Sequence, residues 1–287
     1  MKSFKKFYYE GGNAVVASPI PQKFAKATVD AIDKQILQKL KLTTRGTDWE
    51  TIGSLGKKKE DSGDIDIIVN VLAILKNNKS IETADDIIPF ITKILNKEGL
   101  NFKYSKGLGV FSLQFPVVGQ DSLVQLDLMM TDNMEFSSWV YWSPDSTESR
   151  FKKTGLYRNL LLASITSEMK KEIISSFDDG TPKEVKKYVL ALDRGIYTKV
   201  LSFIGKKGQP VKSPKTLFKG EAITNVNEIL ELLLGKGATT ADTNSFETIY
   251  KRMHHTNFPY KNKLQNIKDY ARNAFVGKGM PVPEELD

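Results

Sequence analysis

An α+β fold is predicted for this chain: a small mixed β-sheet with helices on one face, followed by a mainly helical second part. Three observations carry that prediction. Short apolar stretches with strand-like patterning fall before residue 131. Apolar spacings of three and four dominate after residue 150. Between them, Trp139, Tyr141 and Trp142 cluster ahead of the turn Ser143-Pro144-Asp145, which sets a boundary near residue 145. The expected domains are therefore 1–145 and 146–287.

The elements follow in order. Residues 7–21 read as loop or edge structure, with Gly11-Gly12-Asn13 as a turn signal. Val29, Ile32, Ile36 and Leu40 recur at helical spacing and predict an amphipathic helix over 22–41. Residues 48–54 and 64–70 predict two strands around a 55–63 loop. A short helix is expected near 70–76. Asp85-Asp86 reads as a helix start, Pro89 is acceptable in the first turn, and Ile87, Phe90, Ile91, Ile94 and Leu95 give the buried stripe up to Gly99. Phe111–Val118 and Leu123–Met130 predict an antiparallel pair around Gly119-Gln120-Asp121.

In the second part, Leu156, Leu160, Ala163 and Ser167 predict a helix around 154–176, and another is expected over 182–204. Residues 205–220 are rich in Gly, Pro and Lys and read as either a basic β-hairpin or a mobile loop. Three helices follow, at 225–234, 245–255 and 260–276, the second with Asn244 and Glu247 placed as a capping box. The terminal MPVPEELD is expected to fray.

Composition narrows the chemistry. The chain has 287 residues, 40% hydrophobic and 26% charged, as ordinary soluble proteins do. No apolar run is long enough for a transmembrane helix, and the N-terminus lacks the apolar core of a signal peptide. Cysteine is absent, which excludes disulfides, thiolate metal sites and Cys nucleophiles, and fits a cytoplasmic protein, or one in host cytoplasm if viral. His254 and His255 are the two histidines, so a His-based zinc site or Ser-His-Asp triad has little support. The net charge is +8. Residues 1–150 carry 19 Lys and Arg against 19 Asp and Glu, while residues 151–287 carry 23 against 15. A second half holding the whole excess suits an anionic partner such as nucleic acid.

The stretch Thr51–Asn70, TIGSLGKKKEDSGDIDIIVN, concentrates the candidate chemistry. Asp64 and Asp66 are two apart in a predicted strand, so both carboxylates share a face while Ile65 and Ile67 take the other. Adjacent carboxylates repel unless a cation lies between them, and hard Mg²⁺ prefers carboxylate oxygen. Asp127 interrupts the apolar strand Val124–Met129. A buried unpaired carboxylate is costly, and a metal shared with Asp64 and Asp66 would supply its partner. Gly53 lets the backbone approach a phosphate closely, and Ser54 adds a hydroxyl and an N–H. Lys57, Lys58 and Lys59 could attract a triphosphate or be simply solvated.

Gly53-Ser54, a nine-residue spacer, Asp64-Ile65-Asp66 and then Asp127 on a later strand resemble the motif of the DNA polymerase beta-like nucleotidyltransferase superfamily. The match covers roughly residues 45–130. The resemblance implies a nucleotidyltransferase catalytic core in the first domain and Mg²⁺-dependent transfer of a nucleoside monophosphate from a nucleoside triphosphate to an acceptor hydroxyl. It implies two Mg²⁺ ions, or Mn²⁺ in their place: one on Asp64 and Asp66, one on all three aspartates, with Asp127 as general base. Gly53, Ser54, Lys57 and Arg158 are the implied nucleotide contacts. Lys152 and Lys153, near the start of the first helix after the boundary, and Lys206 and Lys207 in the basic loop are candidate acceptor contacts. The basic second half favours an RNA 3′ end, such as that of a transfer RNA. A protein or small-molecule acceptor, or a non-catalytic nucleic-acid-binding scaffold, are the competing readings. No membrane partner is expected.

Overall fold

The computed structural model describes residues 14–287 apart from 58–60, 145–148, 152, 170 and 206–207. The Gly11-Gly12-Asn13 turn, Asp145, Lys58, Lys59, Lys152, Lys206 and Lys207 thus lie outside the described residues. The chain divides into two compact units, Met1–Glu148 and Ser149–Asp287.

The first unit runs β1 (Ile20–Pro21), α1 (Gln22–Ile32), β2 (Trp49–Ile52), β3 (Asp61–Ser62), β4 (Asp64–Asn70), α2 (Val71–Asn77), α3 (Ile87–Lys97), β5 (Phe102–Ser105), β6 (Val110–Pro116), β7 (Leu123–Thr131) and α4 (Met134–Val140). Five strands form one mixed sheet in the order β2-β4-β7-β6-β5. β4 and β7 are parallel, and the other neighbours are antiparallel. β1 and β3 make a separate two-stranded ladder, Ile20 opposite Ser62. The expected helix over 22–41 is α1 continued by a π-helical turn over Asp33–Leu37.

Strand alternation builds the core. Ile65, Ile67 and Val69 of β4, Leu126 and Leu128 of β7, and Phe111, Leu113 and Phe115 of β6 share one sheet face. They pack with Val29, Ile32 and Ile36, with Ala73 and Ile74 of α2, and with Ile87, Ile91 and Leu95 of α3. Each such burial contributes roughly 1.5–3 kcal/mol. α4 lies against β2 and β4. Side-chain caps start α2 and α4: Asn70 accepts from Leu72 N and Ala73 N, and Asn133 accepts from Phe136 N.

The second unit runs α5 (Thr154–Ser167), β8 (Glu172–Ser176), β9 (Pro182–Ala191), β10 (Gly195–Ile204), β11 (Pro210–Ile223), α6 (Val226–Leu234), α7 (Phe246–Met253) and α8 (Leu264–Gly277). Its four strands form an antiparallel meander, β11-β10-β9-β8.

This corrects two expectations. The helix expected through residue 176 stops at Ser167, and the helix expected over 182–204 is the β9–β10 hairpin. The apolar positions there fit a spacing of four, which serves one helix face and one strand face alike. The β-branched and aromatic content of 185–204 (Val185, Tyr188, Val189, Ile196, Tyr197, Thr198, Val200) resolves it toward strand. Of the two readings for 205–220, the hairpin holds, since β11 pairs with β10.

Two details also differ. The cap of α7 is Ser245 with Thr248, not Asn244 with Glu247. The C-terminal segment is tied down rather than frayed. Leu286 is fully buried, Tyr157 Oη donates to Pro281 O at 2.8 Å, Tyr250 Oη donates to Glu285 O at 2.8 Å, and Arg272 Nη2 donates to Leu286 O at 2.6 Å.

Candidate active site

The polar face of the five-stranded sheet collects the candidate site. Asp64 and Asp66 stand two apart on β4, and Asp66 pairs directly with Asp127 of β7. One carboxylate oxygen from each of the three lies within 4.8 Å of the others. Local alternation explains this: Ile65, Ile67, Leu126 and Leu128 go into the core, which turns Asp64, Asp66, Gln125 and Asp127 to the opposite face.

Asp127 is 5% exposed. Gln125 Nε2 donates to its Oδ2 at 3.0 Å, and no donor meets hydrogen-bond geometry at its buried Oδ1. Burial pushes the Asp127 carboxyl above its ordinary range, while Ser112, opposite it on β6, and Gln125 pull it back. Gln125 is held in turn, since its Oε1 accepts from Ala14 N at 3.1 Å.

Gly53 follows β2 directly. Its φ is +70°, and a Cβ there would meet Asp66 Oδ2 at 2.6 Å. The position therefore needs glycine twice over, for its backbone conformation and for the closeness of the Asp66 carboxylate. Gly53 N–H is 3.4 Å from Tyr141 O, and Gly53 bridges to Trp142. The loop after it is pinned by Gly56 N donating to Gln22 Oε1 at 2.7 Å. Ser54 Oγ lies 3.1 Å from Ser62 Oγ.

The remaining predicted residues fare differently. Lys57 Nζ donates to Ser143 O at 2.8 Å and lies 3.7 Å from the Trp142 ring centroid. Its ammonium is thus held at the turn after α4. Lys153 is exposed, one residue before α5. Arg158 corrects the expectation of a nucleotide contact, because it is 0% exposed. Its Nε donates to Thr243 O and its Nη1 to Asn159 Oδ1, so the guanidinium is committed inside the second unit. Burial lowers its pKa to about 9.

Sequence reasoning missed Gln125 and Ser112. The signal was present in the alternation of Val124-Gln125-Leu126-Asp127 and of Phe111-Ser112-Leu113, which turns each polar residue to the aspartate face.

The donor set fits a hard divalent cation. It is all carboxylate, it brings three acids together, and it includes the buried Asp127 Oδ1, which no donor among the described residues meets at hydrogen-bond geometry.

No protein-family model matches the chain, and no curated protein matches it. Among solved structures, the chain is similar to Leishmania infantum polymerase beta in a ternary primer–template complex, with 10% identity over 79% of this chain and 77% of that one, at a TM-score of 0.41. It is also similar to Cid1 in complex with its short product ApU, at 16% identity and a TM-score of 0.27, covering 53% of this chain and 43% of that one. A cytoplasmic RNA terminal U-transferase gives 16% identity and a TM-score of 0.28, covering 58% and 43%. The chain thus spans less than half the length of the latter two. These likenesses are weak, and the chain's own carboxylates carry the functional reading. No helix among the described residues is long and apolar enough to cross a membrane.

Proposed function

We propose that the chain is a nucleotidyltransferase that moves a nucleoside monophosphate from a nucleoside triphosphate to an acceptor hydroxyl. A bond forms between the acceptor oxygen and the α-phosphorus, the bond from that phosphorus to the β-bridging oxygen breaks, and pyrophosphate leaves. The observation that carries this reading is the convergence of Asp64, Asp66 and Asp127 beside Gly53.

Asp64, Asp66 and Asp127 would hold Mg²⁺, as one ion or two, or Mn²⁺ in its place. When bound, the metal neutralises triphosphate charge and lowers the pKa of the attacking hydroxyl. Asp127 takes the hydroxyl proton as general base. The turn at Gly53, free of a Cβ, lets the backbone come close to the β and γ phosphates, and Ser54 offers its hydroxyl. Lys57 reaches the triphosphate by leaving Ser143 O and the Trp142 ring. Lys153 is the described candidate for the acceptor side. Basic charge in residues 151–287 supports RNA, with a transfer-RNA-like 3′ end as acceptor.

The test is incubation with Mg²⁺, each α-labelled nucleoside triphosphate in turn, and total RNA plus protein, beside Asp64→Ala/Asp66→Ala. Label moving to RNA, and lost in the double variant, is the expected result. Label on protein moves the acceptor to another class. No label anywhere overturns the transfer reading.

A further inference from the structure

The meander of the second unit carries a row of like charges that folding alone does not explain. Lys199 at the middle of β10 stands opposite Lys187 of β9 on one side and Lys219 of β11 on the other. Glu172 of β8 pairs with Lys186, so Lys171, one residue before β8, continues the row beside Lys187. Three lysines on neighbouring strands and a fourth just before β8 thus lie at one level. Like charges directly opposite one another on a sheet are destabilising. Among the described residues, none of the four has a carboxylate within 4.0 Å.

The two end lysines are exposed and the two central ones are half-buried. Burial first, and the neighbouring lysines second, push the Lys187 and Lys199 ammoniums below their ordinary range. A row spared for packing alone would carry apolar or alternating charges. Three inter-strand steps at roughly 4.8 Å span about 14 Å, long enough for a run of phosphates on a strand rather than the compact triphosphate of one nucleotide. Lysine ammoniums meet phosphates as point charges and carry no pattern matched to a base edge.

We propose that Lys171, Lys187, Lys199 and Lys219 form a track for the phosphodiester backbone of a single-stranded nucleic acid. It binds by charge and counterion release without reading sequence. This rests on the transfer reading and deepens it by naming the residues that would hold the backbone of the acceptor strand.

The test is fluorescence anisotropy of an end-labelled, unstructured 15-nucleotide RNA with the full chain across a salt series. Lys187→Gln/Lys199→Gln is expected to weaken binding at least ten-fold and to reduce the slope of log affinity against log salt by about 1.4, at about 0.7 for each phosphate no longer neutralised. Lys236→Gln/Lys251→Gln, which removes the same charge from exposed positions off the sheet, should stay within two-fold of the parent. Lys187→Arg/Lys199→Arg should retain binding, since it keeps the charge. Equal loss in the off-sheet variant, equal loss in the arginine variant, or no RNA binding by the parent would each overturn the track. Binding to phosphatidylserine vesicles without binding to RNA would overturn it in favour of a membrane surface. Asp64→Ala/Asp66→Ala is expected to bind RNA as the parent does, so failure of the track and failure of transfer are read separately.

Discussion

Asp66 and Asp127 are direct partners in the β4–β7 ladder, and that ladder is the parallel pair in an otherwise antiparallel sheet. Register alone sets two carboxylates face to face, with Asp64 beside them. The arrangement is electrostatically unfavourable in the bare protein and favourable once a cation is shared.

Asp127→Asn separates stability from chemistry. The folded protein holds the Asp127 proton more tightly than the unfolded chain does, because burial disfavours the charge. Its contribution to stability is therefore full below the ordinary carboxylate value of 3.8 and is lost as pH rises through the raised folded value. At pH 7 without metal, Asp127→Asn should melt at or above the parent temperature, with a flatter pH dependence. Transfer should fall about 10²–10⁴-fold, the usual contribution of a general base. A melting temperature well below the parent would show that the ionised carboxylate supports the fold.

Divalent metal should act in the opposite direction. Mg²⁺ favours the ionised carboxylates and binds the native site, so it should raise the melting temperature of the parent at pH 7 in a concentration-dependent way. The rise should vanish in Asp64→Ala/Asp66→Ala, and chelation should abolish transfer. Equal stabilisation of parent and double variant would remove the metal from these aspartates.

Gly53→Ala tests the closeness of the turn to Asp66. The left-handed backbone costs a non-glycine residue roughly 1–2 kcal/mol. The added methyl would also meet Asp66 Oδ2 at 2.6 Å and push that carboxylate aside. Misplacement by an ångström can cost about 10²-fold in rate, and that loss is expected in single-turnover transfer. An Ala variant with parental kinetics would show that Asp66 moves freely.

Gln125→Leu removes the hydrogen bond that draws the Asp127 carboxyl downward. The Asp127 pKa should rise further, moving the acid limb of the pH–rate profile to higher pH. A pH profile that only scales down without shifting would assign Gln125 a purely structural part.

The carboxylate cluster is legible in the sequence because a period of two fixes the faces. Asp64-Ile65-Asp66 and Gln125-Leu126-Asp127 each announce which side they take. The order of strands is less legible, since nothing local says that β7 enters between β4 and β6. The β9–β10 hairpin is misread as a helix because its apolar positions fit a spacing of four, which one helix face and one strand face share. Arg158 is misread for a different reason: a basic residue near a helix start gives no sign of whether it points to solvent or, as here, to the Thr243 carbonyl.

The C-terminal segment gives a stability prediction. Deleting residues 284–287 removes the buried Leu286 and the acceptors of Tyr250 and Arg272. At about 1.5–3 kcal/mol for the side chain and about 1 kcal/mol for each of the two hydrogen bonds, the loss should be on the order of 4 kcal/mol, read as a lower urea midpoint. An unchanged midpoint would return the segment to a frayed tail.

The place of β7 between β4 and β6 also governs timing. During synthesis, Asp64 and Asp66 emerge long before Asp127, and the chain must make α2, α3, β5 and β6 before the last strand can close the sheet. Until then the two early aspartates lack the third carboxylate of the cluster. On the transfer reading, competence would arrive together with the non-local strand pairing that completes the first unit.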